Sequence, residues 1–224
     1  MVNDDNGEPK LSGILSKDYN LIKNSAAKDI GDNIKSRSDY LWEELKCFWD
    51  GKKYAHYYIS TEPVTEIENG GTHPIHLGIM LRNSYDGSSC FGLEIFACNM
   101  QCANQYISRN RFGFFAIKHT DNEAINIEDA VTNIGIGAQR LIEVAPKIGE
   151  LRHKALSVDD IRSAKKNTSI PNSRWGDVID KLGDGESNKF GLFQAMTNVA
   201  SHKMTGFNSI TVGNTITEHF LSTR

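Results

Sequence analysis

Ile75-His76-Leu77-Gly78-Ile79-Met80-Leu81-Arg82 is the stretch that decides the fold class of this chain. Ile75, Leu77, Ile79 and Leu81 alternate with His76, Gly78, Met80 and Arg82, a period of two. Successive side chains of an extended strand point to opposite faces. The alternation therefore predicts a strand with one face on a core and the other face available. Outward from it, Tyr54–Ser60, Cys90–Cys98 and Phe112–His119 have the same character, aromatic or β-branched residues bounded by turn formers. Asn69-Gly70-Gly71 and Ser84-Tyr85-Asp86-Gly87-Ser88-Ser89 supply turns. An antiparallel meander is the simplest assembly of these strands.

On both flanks the period changes. Ile34, Leu41, Leu45 and Phe48, with Trp42 and Trp49, predict an amphipathic helix stopped at Gly51, and the residues before it read as a polar arm. Residues 1–50 are thus read as an N-terminal arm and helix, and 51–224 as a single α+β domain with a helical C-terminal part. Beyond the strands, Ile127, Val131, Ile134, Ala138, Leu141, Ala145 and Ile148 step by four and three, the spacing of one long helix face. Pro146 is expected to kink or split that helix. Ser157 is a plausible cap for another helix, and two more are expected near Trp175–Leu182 and Lys189–Lys203. Phe207–Leu221 is ambiguous. Consecutive strands followed by consecutive helices give an α+β class: an antiparallel β meander of about four strands on a long helix, with a helical C-terminal third.

Of the 224 residues, 39% are hydrophobic and 24% charged, enough apolar side chain for a buried core, which argues against wholesale disorder. No apolar run approaches the roughly 20 residues that span a bilayer, and the polar, acidic start is unlike a signal peptide. A soluble, cytoplasmic protein is expected. Its cysteines, Cys47, Cys90, Cys98 and Cys102, contain a single C-x3-C without a second pair, so reduced structural thiols are the reading and no metal or cofactor is assigned. There is no GxxxxGK[ST] phosphate loop and no Gly-x-Ser-x-Gly elbow.

The net charge of −3 hides a local asymmetry. Between Glu94 and Asp121 there is no acidic residue, and Arg109, Arg111 and Lys118 alternate there with Tyr106, Phe112, Phe114 and Phe115. Single-stranded nucleic acid is held by cations that track phosphates and aromatic faces that stack bases. Arg109, Arg111 and Lys118 are the candidate phosphate contacts, with Lys52 and Lys53 as outer ones. Phe112 and Phe114 are the stacking candidates. The competing reading is that the phenylalanines are ordinary core and the cations ordinary surface.

These same residues carry a family resemblance. Arg82-Asn83-Ser84-Tyr85-Asp86-Gly87-Ser88-Ser89 resembles the "NSHDGSS" signature of the phage/plasmid-like proteins, a family of unknown function. Cys102-Ala103-Asn104 resembles its "VCsNG" motif, Ile117-Lys118-His119-Thr120 its "irHT" strand end, and Trp175 with Gly191–Asn198 its closing tryptophan and "lyNavTe" helix. Tyr85 stands where the family has histidine, and Gln105 where it has glycine. The resemblance implies a mobile-element setting and a DNA-linked role, and the small polar signature residues are read as fixing hairpin geometry. A meander followed by a long helix is also similar to the core of phage annealing proteins, which work as rings or filaments.

The leading expectation is therefore a homo-oligomeric, non-catalytic protein that binds single-stranded nucleic acid in a recombination or annealing role. A host-interaction or regulatory protein is a second reading. A metal-dependent nuclease using Asp86, Glu94 and His119, or His76, is a third.

Overall fold

The computed structural model describes residues 2–3, 9–68, 72–102, 104–117 and 126–222. Two short strands, β1 (Val2–Asn3) and β2 (Pro9–Lys10), pair with each other. Helix α1 (Asn24–Arg37) then leads into the main sheet: β3 (Trp42–Trp49), β4 (Lys53–Glu68), β5 (Thr72–Ser84), β6 (Phe91–Asn99), β7 (Asn104–Ile107) and β8 (Phe114–Ile117). The sheet runs β3-β4-β5-β6-β7 with every neighbour antiparallel. β7 pairs with Phe96–Asn99 and β8 with Phe91–Glu94, so the two short strands follow one another along one edge of β6. The helices α2 (Ile127–Gly149), α3 (Val158–Asn167), α4 (Trp175–Gly183), α5 (Lys189–His202) and α6 (Gly206–Ser222) complete an α+β fold with a helical C-terminal part.

The expected meander and long helix are present. Ala130, Ile134, Ala138, Leu141, Ala145 and Ile148 of α2 are buried, and the helix continues through Pro146 to Gly149. Its stripe packs with Leu77, Ile79, Leu81, Leu93 and Ile95 in the main core. Gly137 sets the approach: a Cβ there would lie 2.7 Å from both Ile95 Cδ1 and the Phe112 carbonyl oxygen. Ser157 caps α3, donating to Asp160 and accepting from its backbone N–H, with Asp160 reciprocating at the Ser157 N–H. The stretch read as ambiguous is the helix α6. No helix of the described residues is long and apolar enough to cross a membrane.

Two expectations are corrected. Trp42–Trp49 is the edge strand β3, not the end of an amphipathic helix. Glu44 pairs with Tyr58 and Lys46 with Tyr57, which leaves Leu45 as the extra residue of a β-bulge. The bulge turns a spacing of two into steps of three, Trp42 to Leu45 to Phe48, and so imitates helical spacing. The second correction concerns β5, whose other face is covered too. Met80 is 1% exposed and packs with Tyr57, Ile59, Phe96 and Ile107 beneath Ile210 of α6. Gly78 makes that second layer possible, because a Cβ there would come within 2.3 Å of the Phe96 ring.

Candidate nucleic-acid interface

Where the second layer ends, its apolar contacts give way to charge. Arg82 and Glu94 project from the same face as Met80, since Met80 pairs with Glu94 and Arg82 with Gly92 across β5 and β6. Gly92 leaves room for the ring of Phe114, whose Cε2 would be 2.9 Å from a Cβ at that position. The Arg82 guanidinium lies 4.5 Å from the Phe114 centroid and that of Arg109 lies 4.8 Å from it. On its other side Arg82 faces Phe207 of α6 at 5.9 Å, and Lys53 Nζ approaches that ring at 5.4 Å. The result is a row of alternating cations and rings: Lys53, Phe207, Arg82, Phe114, Arg109. Each pairing has cation–π geometry.

Glu94 is the carboxylate set into this row. It is 1% exposed, accepts a hydrogen bond from Arg109 Nη2, and lies 3.3 Å from Arg82 Nη1. Among the described residues its Oε2 has no hydrogen-bond partner, and neither Arg82 Nε nor Arg109 Nε has one. The same enclosure acts on neighbouring Tyr57, whose phenol is pushed up by burial first and by the Glu94 charge second. Arg109 is held by its loop. Its backbone N–H donates to Asn214 Oδ1 at 3.0 Å, and the preceding Ser108 hydroxyl donates to Glu218 of α6.

Of the residues singled out from sequence, Lys53, Phe114 and Arg109 are brought together. Lys52 is exposed beside Lys53, and both of their backbone N–H groups donate to Asp50 Oδ1, at 2.9 and 2.7 Å. Arg111 is turned to α6, 3.7 Å from Glu218 and donating to Ser222 at 3.3 Å. Phe112 is 1% exposed and belongs to the main core, so its ring cannot receive a base. Lys118 lies outside the described residues, as do His119 and the Asn69-Gly70-Gly71 turn. Sequence reasoning missed Arg82, Glu94 and Phe207 as members. The signal for Arg82 was the alternation itself, which sets it on the Met80 face; that for Glu94 appears only in the pairing of Met80 with Glu94.

Those residues of the nuclease reading that the structure describes have other partners. Glu94 is committed to two guanidiniums, Asp86 accepts from Ser88 N at 3.0 Å in an exposed turn, and His76 Nδ1 sits 2.8 Å from the Ser60 carbonyl. Among the described residues no group of three or more His, Cys, Asp or Glu is arranged to hold a metal ion.

The signature residues do structural work. Asn83 is fully buried and donates to the Ile22 carbonyl at 2.7 Å and to Asn24 Oδ1 at 3.0 Å, while the Tyr85 hydroxyl accepts from Asn24 N at 2.8 Å. They fasten the start of α1 to the end of β5. Gly87 has φ +73°, a conformation favouring glycine. A family model described as a domain of unknown function (DUF932) matches residues 12–219. The chain belongs to that family. The matched span includes the whole cation–ring row, from Lys53 to Phe207, as well as these signature residues. No curated protein and no solved structure matches the chain.

Proposed function

We propose that this DUF932 protein binds single-stranded nucleic acid along the Lys53–Phe207–Arg82–Phe114–Arg109 row, in a recombination or annealing role within a phage or plasmid setting. The observation that carries the reading is the row itself: three cations interleaved with two rings on one face, against one carboxylate. Lys53, with Lys52 beside it, and Arg109 contact phosphates at the two ends. Arg82 is 8% exposed and serves to hold the rings and Glu94 in place. Phe207 and Phe114 are half-buried and offer their open edges to bases. The mobile-element setting is supported by the signature resemblance. Annealing also requires neighbouring copies to align two strands, for which the cytoplasm and a homo-oligomer are the natural context.

The test is fluorescence anisotropy with labelled oligo-dT and a matched duplex over a salt series. Counterion release makes log K fall with log salt by about 0.7 per phosphate contact on a single strand. Replacing both Lys52 and Lys53 by alanine is expected to weaken binding and flatten the slope by about 1.4. Tight wild-type binding with an unchanged slope in the double variant excludes this row. No binding to either oligonucleotide at low salt rejects the function.

A further inference from the structure

A cavity of about 350 Å³ opens away from the row, between the turn joining β6 to β7, the α4–α5 connection and the first half of α5. Its size falls within the range of small-molecule sites. Part of its wall is a fixed set of side-chain amides. Asn104 donates to Gln194 Oε1 at 2.7 Å, Gln194 Nε2 donates to the buried Tyr106 hydroxyl at 2.6 Å, and Asn198 Nδ2 donates to Asn104 Oδ1 at 3.1 Å. Groups that hold one another in this way are preorganised for a ligand, since little side-chain freedom remains to be lost on binding.

Another part of the wall is a guanidinium. Arg152 lies against Phe190, its Cζ 4.3 Å from the ring centroid. One nitrogen, Nη2, serves both His73 Nε2 at 2.6 Å and Glu186 Oε1 at 2.9 Å. His73 is pushed toward its neutral form by burial and then by the Arg152 charge, consistent with accepting at Nε2. The other two nitrogens of Arg152, Nε and Nη1, are buried without a partner among the described residues. Buried donors in native proteins almost always find an acceptor, and one left unmet is destabilising. The formal charges of Arg152 and Lys181 are matched by those of Asp184 and Glu186 around the same cavity. That balance disfavours a bare anion and favours a neutral molecule rich in acceptors.

We propose that this cavity binds a nucleobase or nucleoside, with base carbonyl or ring-nitrogen acceptors answering Arg152 and the side-chain amide of Asn198 reading the base edge. Asn and Gln amides pair with base edges through matched donors and acceptors, and guanidinium planes stack on bases. A free nucleoside and a base of a bound strand share this chemistry. The site does not depend on the row binding nucleic acid.

The experiment is calorimetric titration of the full chain with adenosine, guanosine, cytidine and uridine, and heteronuclear NMR with the same ligands. Saturable binding of at least one nucleoside is expected, with shifts centred on the Gln194 and Asn198 side-chain amides. Arg152→Ala should weaken it about tenfold, the worth of one charge-assisted hydrogen bond. Asn198→Leu, checked for folding by its amide spectrum, should abolish it. Lys53→Ala combined with Arg109→Ala should bind nucleosides as the wild type does, which separates this site from the row. An oligonucleotide carrying 2-aminopurine then identifies the source of the base. Quenching lost in Asn198→Leu assigns a base of a strand, and unchanged fluorescence alongside nucleoside binding assigns a free nucleoside. No saturable binding of any of the four, or shifts confined to the row, overturns the proposal.

Discussion

Glu94→Gln should make the protein less stable and a better polyanion binder at the same time. The substitution preserves shape, so it opens no cavity, and what it removes is the charge facing two guanidiniums. Arg82 is the costly one. Its side chain is 10% exposed and its ion-pair partner among the described residues is Glu94 at 3.3 Å, so the variant buries an uncompensated cation. Breaking a buried ion pair by removing one partner costs about 3–5 kcal/mol. Arg109 lowers that figure, because its side chain is 36% exposed and can turn to water. The glutamine oxygen can also still accept a hydrogen bond. We expect about 3 kcal/mol, which at a urea slope of about 2 kcal/mol/M moves the midpoint down by about 1.5 M. Binding moves the other way. Arg109 then meets its phosphate without giving up a carboxylate, so affinity for oligo-dT rises at every salt concentration while the slope stays that of the wild type. The assay is paired, urea denaturation by tryptophan fluorescence and anisotropy over a salt series on the same preparation. A midpoint within about 0.3 M of wild type would show that Glu94 does not compensate Arg82. An unchanged or lower affinity would show that Arg109 is not poised to meet a phosphate.

Three further outcomes follow from the packing. Ser157→Ala removes the reciprocal cap of α3 and should cost about 1 kcal/mol in urea denaturation, with no effect on nucleic-acid binding. Gly78→Val forces a side chain onto the Phe96 ring and should cost about 1–3 kcal/mol or more, read as a lowered thermal midpoint; an unchanged midpoint would mean that the second layer of the sheet is not packed as described. Asp160 is raised by burial, but hydrogen bonds from Lys189 and Ser157 outweigh that and hold its carboxyl at about 2, below the usual 3.8. A depressed carboxyl stabilises the fold above its unfolded value and loses that contribution as pH falls through the folded one. The site is partly exposed and screened, so the wild type should exceed Asp160→Asn by about 1 kcal/mol at pH 6, with the gap closing between pH 4 and 2.

How far the fold was legible in the sequence depended on whether a signal was local. The Ile75–Leu81 alternation, the α2 stripe and the Ser157 cap are each written within a few turns or residues of chain, and each is found where it was expected. Trp42–Trp49 failed because a bulge is a property of a pair of strands. The extra residue Leu45 is defined only by Glu44 and Lys46 meeting the adjacent residues Tyr58 and Tyr57. The cover over Met80 failed for a related reason. Ile210 and Phe207 come from more than a hundred residues downstream, in a segment whose own pattern was ambiguous.

The candidate site was legible in part, and its failures have one physical form. A stretch free of acids along the chain is not free of acids in space. Arg109 meets Glu94, which ends the very gap that drew attention to it, and Arg111 meets Glu218 on α6. Phe112, placed among cations in sequence, points into the core. Positive charge in excess along the row therefore lies at Lys53 and Arg109, because Glu94 offsets the buried Arg82 between them. The Ile75–Leu81 alternation also held one sheet face to be available, and its error is one of extent. Along the face, Met80 is 1% exposed and Arg82 8%, while the side chain of Arg109 reaches 36%. Exposure rises as the cover of α6 gives out, and the cations appear along the same gradient. A cation beneath the cover needs a buried carboxylate, which is the place of Glu94. One at its margin can exchange a protein partner for a phosphate at little cost, and this makes Lys53 and Arg109, at the two ends of the row, the residues on which nucleic-acid binding should depend.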